Sequence, residues 1–429
     1  MRMQRLSPVH QQFPDRRLAD VRAAVLGQME RARWTRQVPS GSRIAVGVGS
    51  RGISNMDAIA KAVVDYWKSR EVRPFIVPVM GSHGAATAAG QADVLAHYGI
   101  TESTMGAPVR SSLDVVHIGT TPEGIDVSMD RLAFESDGVM LCGRVKWHTD
   151  FEGPLESGLH KMMAIGLGKW EGARRYHSWA LKIGMGQVIR SVGSTVLQTG
   201  KLLGGMAILE DAHHSTAEVH AVGAEGMAER EEELLLRVKS WKPNLPAAEI
   251  DLLIVDEIGK DISGAGMDTK VVNRGGPAGP NSWREVPAVH RIFIRDLSGN
   301  TYGNAIGMGM ADMVHDRLVS KVDFRATWVN ALTASVTYPA FTPLHYPTDR
   351  ECIERVLPTC GKVDTNECSV VWIRNTLQLS RMLVSENLLP EVAANPDIHV
   401  AGPCSELPFD SGGNLVSAFE DPKAAGHAA

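Results

Sequence analysis

The sequence predicts an α/β protein of two domains, each built on a mostly parallel sheet, with the active site in a cleft between them. Its length supports this, because 429 residues exceed the usual single domain of about 100–200 residues. A breaker-rich connection, Lys242-Pro243-Asn244-Leu245-Pro246, marks a boundary. Short β-branched runs also alternate with helical patterns, which is the signature of βαβ units. The expected division is 1–246 for an N-terminal domain and 247–420 for a C-terminal domain closing over it. Residues 421–429, which lack any core-forming pattern, form an expected disordered tail.

Taken in order, a strand is expected over Arg43–Val48, a helix over Asn55–Arg70, a strand over Pro74–Pro78 and a helix over Thr87–Tyr98. Further strands are read at Asp114–Ile118, Gly138–Cys142 and Ala207–Leu209, and the charged run Ala228–Ser240 reads as a surface helix. Beyond the boundary, Ile250–Asp256 is a nearly continuous apolar strand. A Gly-rich loop, a strand at His290–Leu297, the segment Gly303–Asp312 and helices around Arg350–Leu357 and Asn375–Glu386 follow it. No internal repeat is visible.

A charged fraction of 22% and a net charge of −5 give no basic field for nucleic acid. The N-terminus is charged and proline-interrupted rather than signal-like, and no stretch approaches the roughly 20 apolar residues that span a bilayer. A cytoplasmic protein with a small-molecule substrate, and neither a nucleic-acid nor a membrane partner, is expected; homo-oligomerisation stays open. Five scattered cysteines without a CxxC pair fit reduced, structural thiols.

In open α/β sheets ligands gather beyond the carboxyl ends of strands. Four loops there carry a charged or titratable side chain, three of them with glycine: Gly49–Asn55 with Arg51, Met80–Gly84 with His83, Lys146–Asp150 with His148, and Gly259–Gly264 with Lys260. Arg51 offers a planar fork for a carboxylate and Lys260 a second positive charge, though a local ion pair and a solvated lysine are the plain alternatives. His83 and His148, at equivalent strand ends, suit acid–base work near neutral pH. His213 and His214 lie in a polar turn and receive no role.

The stretch Lys146–His177 holds three histidines and three lysines around glycine-marked turns. Pro154 suits the first turn of a helix, and Ser157-Gly158 would allow a phosphate close to the backbone. Lys161 stands among Met162, Met163 and Ile165, where desolvation favours a neutral, nucleophilic amine; a snorkelling helix lysine is the ordinary reading. Gly166 and Gly168 break that helix, and a second one, Glu171–Lys182, carries His177 between Tyr176 and Trp179, where packing is the simplest role. No CxxC, HExxH or carboxylate cluster accompanies it, so a metal there would need ligands from elsewhere.

These pieces resemble the nickel-dependent lactate racemase family, in a divergent branch. The resemblance runs from roughly Ile44 to Leu407 on GSRGISN (49–55), MGSHGAAT (80–87), VKWHTDFEGPLESGLHKMMAIGLGK (145–169), RRYH (174–177), GKDISGAGMDT (259–269) and GNAIGMGMAD (303–312). It implies a nickel-pincer nucleotide, a pyridinium-3-thioamide-5-thiocarboxylic acid mononucleotide, tethered to Lys161 through a thioamide. His177 would ligate the nickel, His83 and His148 would be the two bases, and Arg51, with Lys260 as the weaker match, would hold the substrate. The implied activity is racemisation or epimerisation of a 2-hydroxy acid by hydride transfer. Gly-Ser-Arg-Gly replaces the family's acid-Thr-Arg-Pro, the His148–Lys161 loop is longer, and the C-terminal Tyr-Gln-Lys motif has no clean equivalent. These departures count against lactate itself, and the expected substrate is a 2-hydroxy acid bulkier than lactate or polyhydroxylated like a sugar acid. The alternatives are a lyase or hydrolase using an ordinary divalent metal, and a non-catalytic binding homologue.

Overall fold

The computed structural model describes residues 5–49, 52–275 and 279–419. The chain forms two compact units, Pro14–Lys242 and a second assembled from Met1–Phe13 with Pro243–Ala429. Among the described residues no helix is long and apolar enough to cross a membrane.

The Pro14–Lys242 unit is organised by a five-stranded sheet in the order Arg73–Pro78, Arg43–Val48, Gly138–Arg144, Leu202–Glu210, Thr216–Gly223. The first four strands run parallel and the last antiparallel. Parallel strands bury both faces, which is why they read as unbroken apolar runs. Alternate side chains then serve two cores. Ile44, Val46, Met140 and Cys142 join the core under helix Met56–Ser69, where Ile59, Val63 and Trp67 recur at four-residue spacing. Ala45, Val77, Val139 and Leu141 enter the other core, with Leu159, Met163 and the helix Met185–Gln198. Lys161 therefore rides on the second face.

A buried charge fastens this face to the strand ends. Lys169 has a left-handed backbone (φ 54°), and its ammonium stands 2.8 Å from Asp130 Oδ2, both side chains being fully buried. It donates to the Pro78 carbonyl at 2.6 Å and to Gln91 Oε1 at 3.4 Å. Burial lowers the Lys169 pKa, and Asp130 opposes that shift.

The other unit has a nine-stranded sheet ordered Leu344–Tyr346, Met313–His315, Ala288–Leu297, Glu249–Ile258, Val370–Asn375, Gln378–Ser385, Arg5–Gln11, Ile398–Val400, with Ser405–Glu406 also on Arg5–Gln11. Pairing is parallel up to Val370–Asn375 and antiparallel beyond it. Two sequence expectations change here. The helix expected over Asn375–Glu386 is instead strand Gln378–Ser385, because Asn375 Oδ1 accepts the Leu377 and Gln378 amides and turns the chain into a hairpin. The first thirteen residues, expected with 1–246, belong to this unit: Arg5–Gln11 pairs with Gln378–Ser385 and buries Leu6 and Val9. The expectation for 421–429 falls outside the described residues.

Removing one partner of a buried pair leaves the other charge uncompensated. Asp130→Ala is expected to destabilise the protein by about 3–5 kcal/mol in chemical denaturation. A loss below about 1 kcal/mol would mean that Asp130 is not what holds the Lys169 charge.

Candidate functional site

Three strands of the Pro14–Lys242 unit, Arg43–Val48, Arg73–Pro78 and Gly138–Arg144, run parallel and so end on one edge. The segment bearing Lys161 lies against that edge. It starts as the helical turn Leu159–Lys161, widens into a π-turn over Met162–Gly166, and leads into helix Lys169–Ile183. Such π-turns often mark functional sites. Close approach is what the glycines permit: a Cβ on Gly143 would stand 2.0 Å from Met162 Sδ, and one on Gly81 3.0 Å from Ile165 Cγ2 and 3.7 Å from Ala173 Cβ. Gly49 likewise faces Met162, its Cβ position 3.5 Å from Cε. The loops after the first two strands and the end of the third therefore meet the Lys161 segment. Arg51 lies outside the described residues.

At the centre, Lys161 Nζ is 2.6 Å from His148 Nε2. The His148 ring packs on Phe151 with centroids 4.4 Å apart, and its Nδ1 accepts the Asp150 amide at 3.0 Å. An Nδ1 that accepts cannot carry a hydrogen, so the neutral ring bears its proton on Nε2. Burial pushes the Lys161 amine down to about 8, with Asp150 acting in the opposite sense.

Buried acids shape the loop between these residues. Glu156, almost fully buried, accepts the His148 amide at 2.5 Å and the Gly153 amide at 3.2 Å and pairs with Lys239 at 2.6 Å. That clamp explains why no helix begins at Pro154, contrary to the sequence expectation; the first helical turn waits until Leu159. Glu231 reaches His160 through both its amide (3.0 Å) and Nδ1 (2.8 Å), and a Cβ on Gly158 would sit 2.0 Å from Glu231 Oε1. Gly158 thus makes room for a carboxylate. The Ser157 amide is bonded to the Lys146 carbonyl, so a phosphate cradle at Ser157-Gly158 would have to draw on other donors.

His177, half-buried on helix Lys169–Ile183, donates from Nδ1 to the Ala173 carbonyl at 2.6 Å, which directs the Nε2 lone pair to another partner. Ala173 is the same residue that Gly81 faces. His83 is exposed on the loop after Arg73–Pro78, and that loop is held by Gln91, fully buried, whose Nε2 donates to the Gly81 and His83 carbonyls at 2.8 and 3.3 Å. Since Lys169 in turn bonds Gln91, one buried network fixes the His83 backbone. Lys260, in the other unit, donates to the Gly264 carbonyl at 3.0 Å. Among the described residues one trio of metal-type side chains comes within 4.8 Å, Glu249, Asp251 and His290, and His177 is not part of it.

The sequence reading brought forward Lys161, His148, His83 and His177 and missed Glu156, Glu231, Gln91, Asp130 and Lys169. Glu231 shares a helix face with Leu234 and Leu235, three and four residues on, and that spacing was the available signal.

A lysine whose folded pKa lies below its unfolded value binds fewer protons folded than unfolded between the two, so its presence becomes less destabilising as pH rises through that window. Relative to Lys161→Met, the wild type should gain stability between about pH 8 and 10.5 and stay level below that window, as read by urea melts across pH. A difference that is flat across the window would rule out a depressed lysine.

Residues 16–185 match the lactate racemase N-terminal domain family. No curated protein matches the sequence. The fold resembles the lactate racemase apoprotein from Thermoanaerobacterium thermosaccharolyticum, with a TM-score of 0.51 and 14% identity over 87% of this chain and 99% of that one. It also resembles a protein from Thermotoga maritima, with a TM-score of 0.50 and 13% identity over 82% of this chain and 96% of that one. The matched segment contains His83, His148, Lys161 and His177, and the fold resembles that of a lactate racemase apoprotein.

Proposed function

We propose that the protein is a racemase or epimerase of a 2-hydroxy acid that works with a nickel-pincer nucleotide tethered to Lys161. The observation that carries this reading is the pairing of a desolvated lysine amine with an imidazole at 2.6 Å, on a segment that leads into the helix presenting His177. The residues fit that group chemically. A neutral amine can form a thioamide, and an imidazole whose Nδ1 is already donating offers one Nε2 to a metal whose remaining ligands come from the nucleotide. The absence of a carboxylate cluster at His177, among the described residues, favours this over an ordinary divalent metal.

The C2 hydrogen of a 2-hydroxy acid is too weakly acidic for a histidine to remove as a proton. The tethered nickel nucleotide would supply a hydride acceptor for it. What the chain must provide is a base for the hydroxyl proton on either side of the planar 2-keto acid, and His83 and His148 are assigned these roles. Their backbones are fixed by Gln91 and Glu156 respectively, so neither loop has to be ordered at the moment of reaction. Arg51 is assigned the substrate carboxylate.

Protein matured with the nickel-nucleotide assembly enzymes should carry a mass addition on Lys161 that is absent from Lys161→Ala, with one nickel per chain. His177→Ala should keep the adduct and lose most of the nickel. During inversion, a C2-deuterated 2-hydroxy acid should retain its label in ordinary water. Zinc- or manganese-dependent turnover without an adduct would transfer the protein to the lyases or hydrolases. An adduct with no turnover across a panel of hydroxy acids and sugar acids would make it a binding protein.

A further inference from the structure

Lys161 and His148 meet through a hydrogen bond whose direction can be derived. The Asp150 amide points its hydrogen at His148 Nδ1 from 3.0 Å, so Nδ1 is an acceptor and Nε2 carries the ring proton. Nε2 stands 2.6 Å from Lys161 Nζ. A donor on Nε2 needs a lone pair opposite it, and an ammonium has none; two N–H groups would confront each other at a distance where they repel. The neutral amine is therefore the form that this arrangement accepts.

The surroundings act the same way. Met163 beside it is fully buried, Phe151 covers the imidazole, and desolvation penalises the charged amine. Of the charged groups nearby, Asp150 alone is seen to favour the ammonium; the Lys146 amine lies over the Trp147 ring at 4.9 Å, and Glu156 is paired with Lys239.

We infer that His148 and the Asp150 amide bias Lys161 towards the free amine, which makes it a self-acylating lysine able to take an activated acyl or thioacyl group from a small molecule without a separate transferase. The inference deepens the reading of Lys161 as a tether and rests on it only for the identity of the natural acyl donor. In the step itself the Nε2–H···Nζ bond opens and the freed Lys161 lone pair attacks the acyl carbon. The N–C bond forms, the bond to the leaving group X breaks, and one N–H proton departs with X as HX, leaving an amide or thioamide. Nothing is oxidised or reduced.

The test uses the full chain without cofactor and sulfosuccinimidyl acetate, in limiting amount at pH 7.5, as the acyl donor. Peptide mass mapping compares the acetylation rate of Lys161 with that of Lys362, an exposed lysine. Since each pKa unit of depression raises the neutral fraction about tenfold, Lys161 should react at least about tenfold faster. His148→Phe, which keeps a ring against Phe151 but removes the donor, should bring the two rates close together, and His148→Gln, which restores an N–H donor, should recover part of the difference. Melting temperature and circular dichroism verify that each variant is folded. In nitrogen-15 spectra of histidine-labelled protein, the signal missing from His148→Phe should be that of an Nε2–H tautomer. Acetylation of Lys161 no faster than Lys362, an unchanged rate in His148→Phe, or an Nδ1–H tautomer would each overturn the inference. The two readings fail separately: fast acetylation with no nickel-nucleotide adduct in matured protein removes the cofactor reading alone, whereas slow acetylation with a normal adduct removes this one alone.

Discussion

Two nitrogens 2.6 Å apart must divide the roles of donor and acceptor, and in this protein a backbone amide makes the division. Asp150 N–H occupies Nδ1 of His148, the ring proton moves to Nε2, and Lys161 is left to accept. Everything else around the pair can be read as support for that assignment. The apolar π-turn desolvates the amine, the Phe151 ring packs on the imidazole, and Glu156 fixes the backbone from which the imidazole projects. A displacement of the loop by an ångström would break the pattern, because hydrogen-bond strength falls steeply with distance and angle.

The loop's rigidity comes from a helix whose sequence suggests only a solvated surface. Met227–Lys239 delivers Glu231 to His160 and Lys239 to Glu156, so one helix holds both ends of the segment that separates His148 from Lys161. Both acids are nearly fully buried. Acids there need several donors, and each has them: two backbone amides and an ammonium for Glu156, an amide and an imidazole for Glu231. The Lys169–Asp130 pair does the corresponding work for the loop of His83, through Gln91. Polar groups buried behind a site and bonded on every side are costly to rearrange, and this gives the exposed histidine loops a stiff base.

Much of this was legible from the chain alone. The strands Arg43–Val48, Gly138–Arg144 and Glu249–Ile258 announce themselves as apolar runs because parallel strands bury both faces, and the reactive loops follow from where those strands end. The partners of the loops were hidden, since Glu231 stands 71 residues from His160 and Lys169 lies 91 from Pro78, and no local pattern reports such a meeting. Strand Gln378–Ser385 was misread for a related reason. Its run of leucine, methionine and valine suits helix or strand, and it is the pairing with Val370–Asn375 and with Arg5–Gln11, at the far end of the chain, that decides. The Arg5–Gln11 strand itself looks like a polar leader until Leu6 and Val9, on its opposite faces, are seen to be buried in two different cores.

The direction of the Lys161–His148 bond also imposes an order of events on one imidazole. With Nε2–H donating to an amine, His148 is in the wrong tautomer to accept a substrate proton at that nitrogen, so the arrangement that suits Lys161 before acylation is not the one that suits a base. Acylation removes one side of the conflict. An amide or thioamide nitrogen has given its lone pair to the adjoining π-system and no longer accepts, so Nε2–H loses its partner once the tether exists. Nδ1 still accepts the Asp150 amide and keeps the ring proton on Nε2, so the imidazole becomes a base only when that amide turns away. One residue can therefore prepare the lysine first and act as a base later, provided the Asp150 amide moves between the two tasks while Glu156 holds the His148 amide.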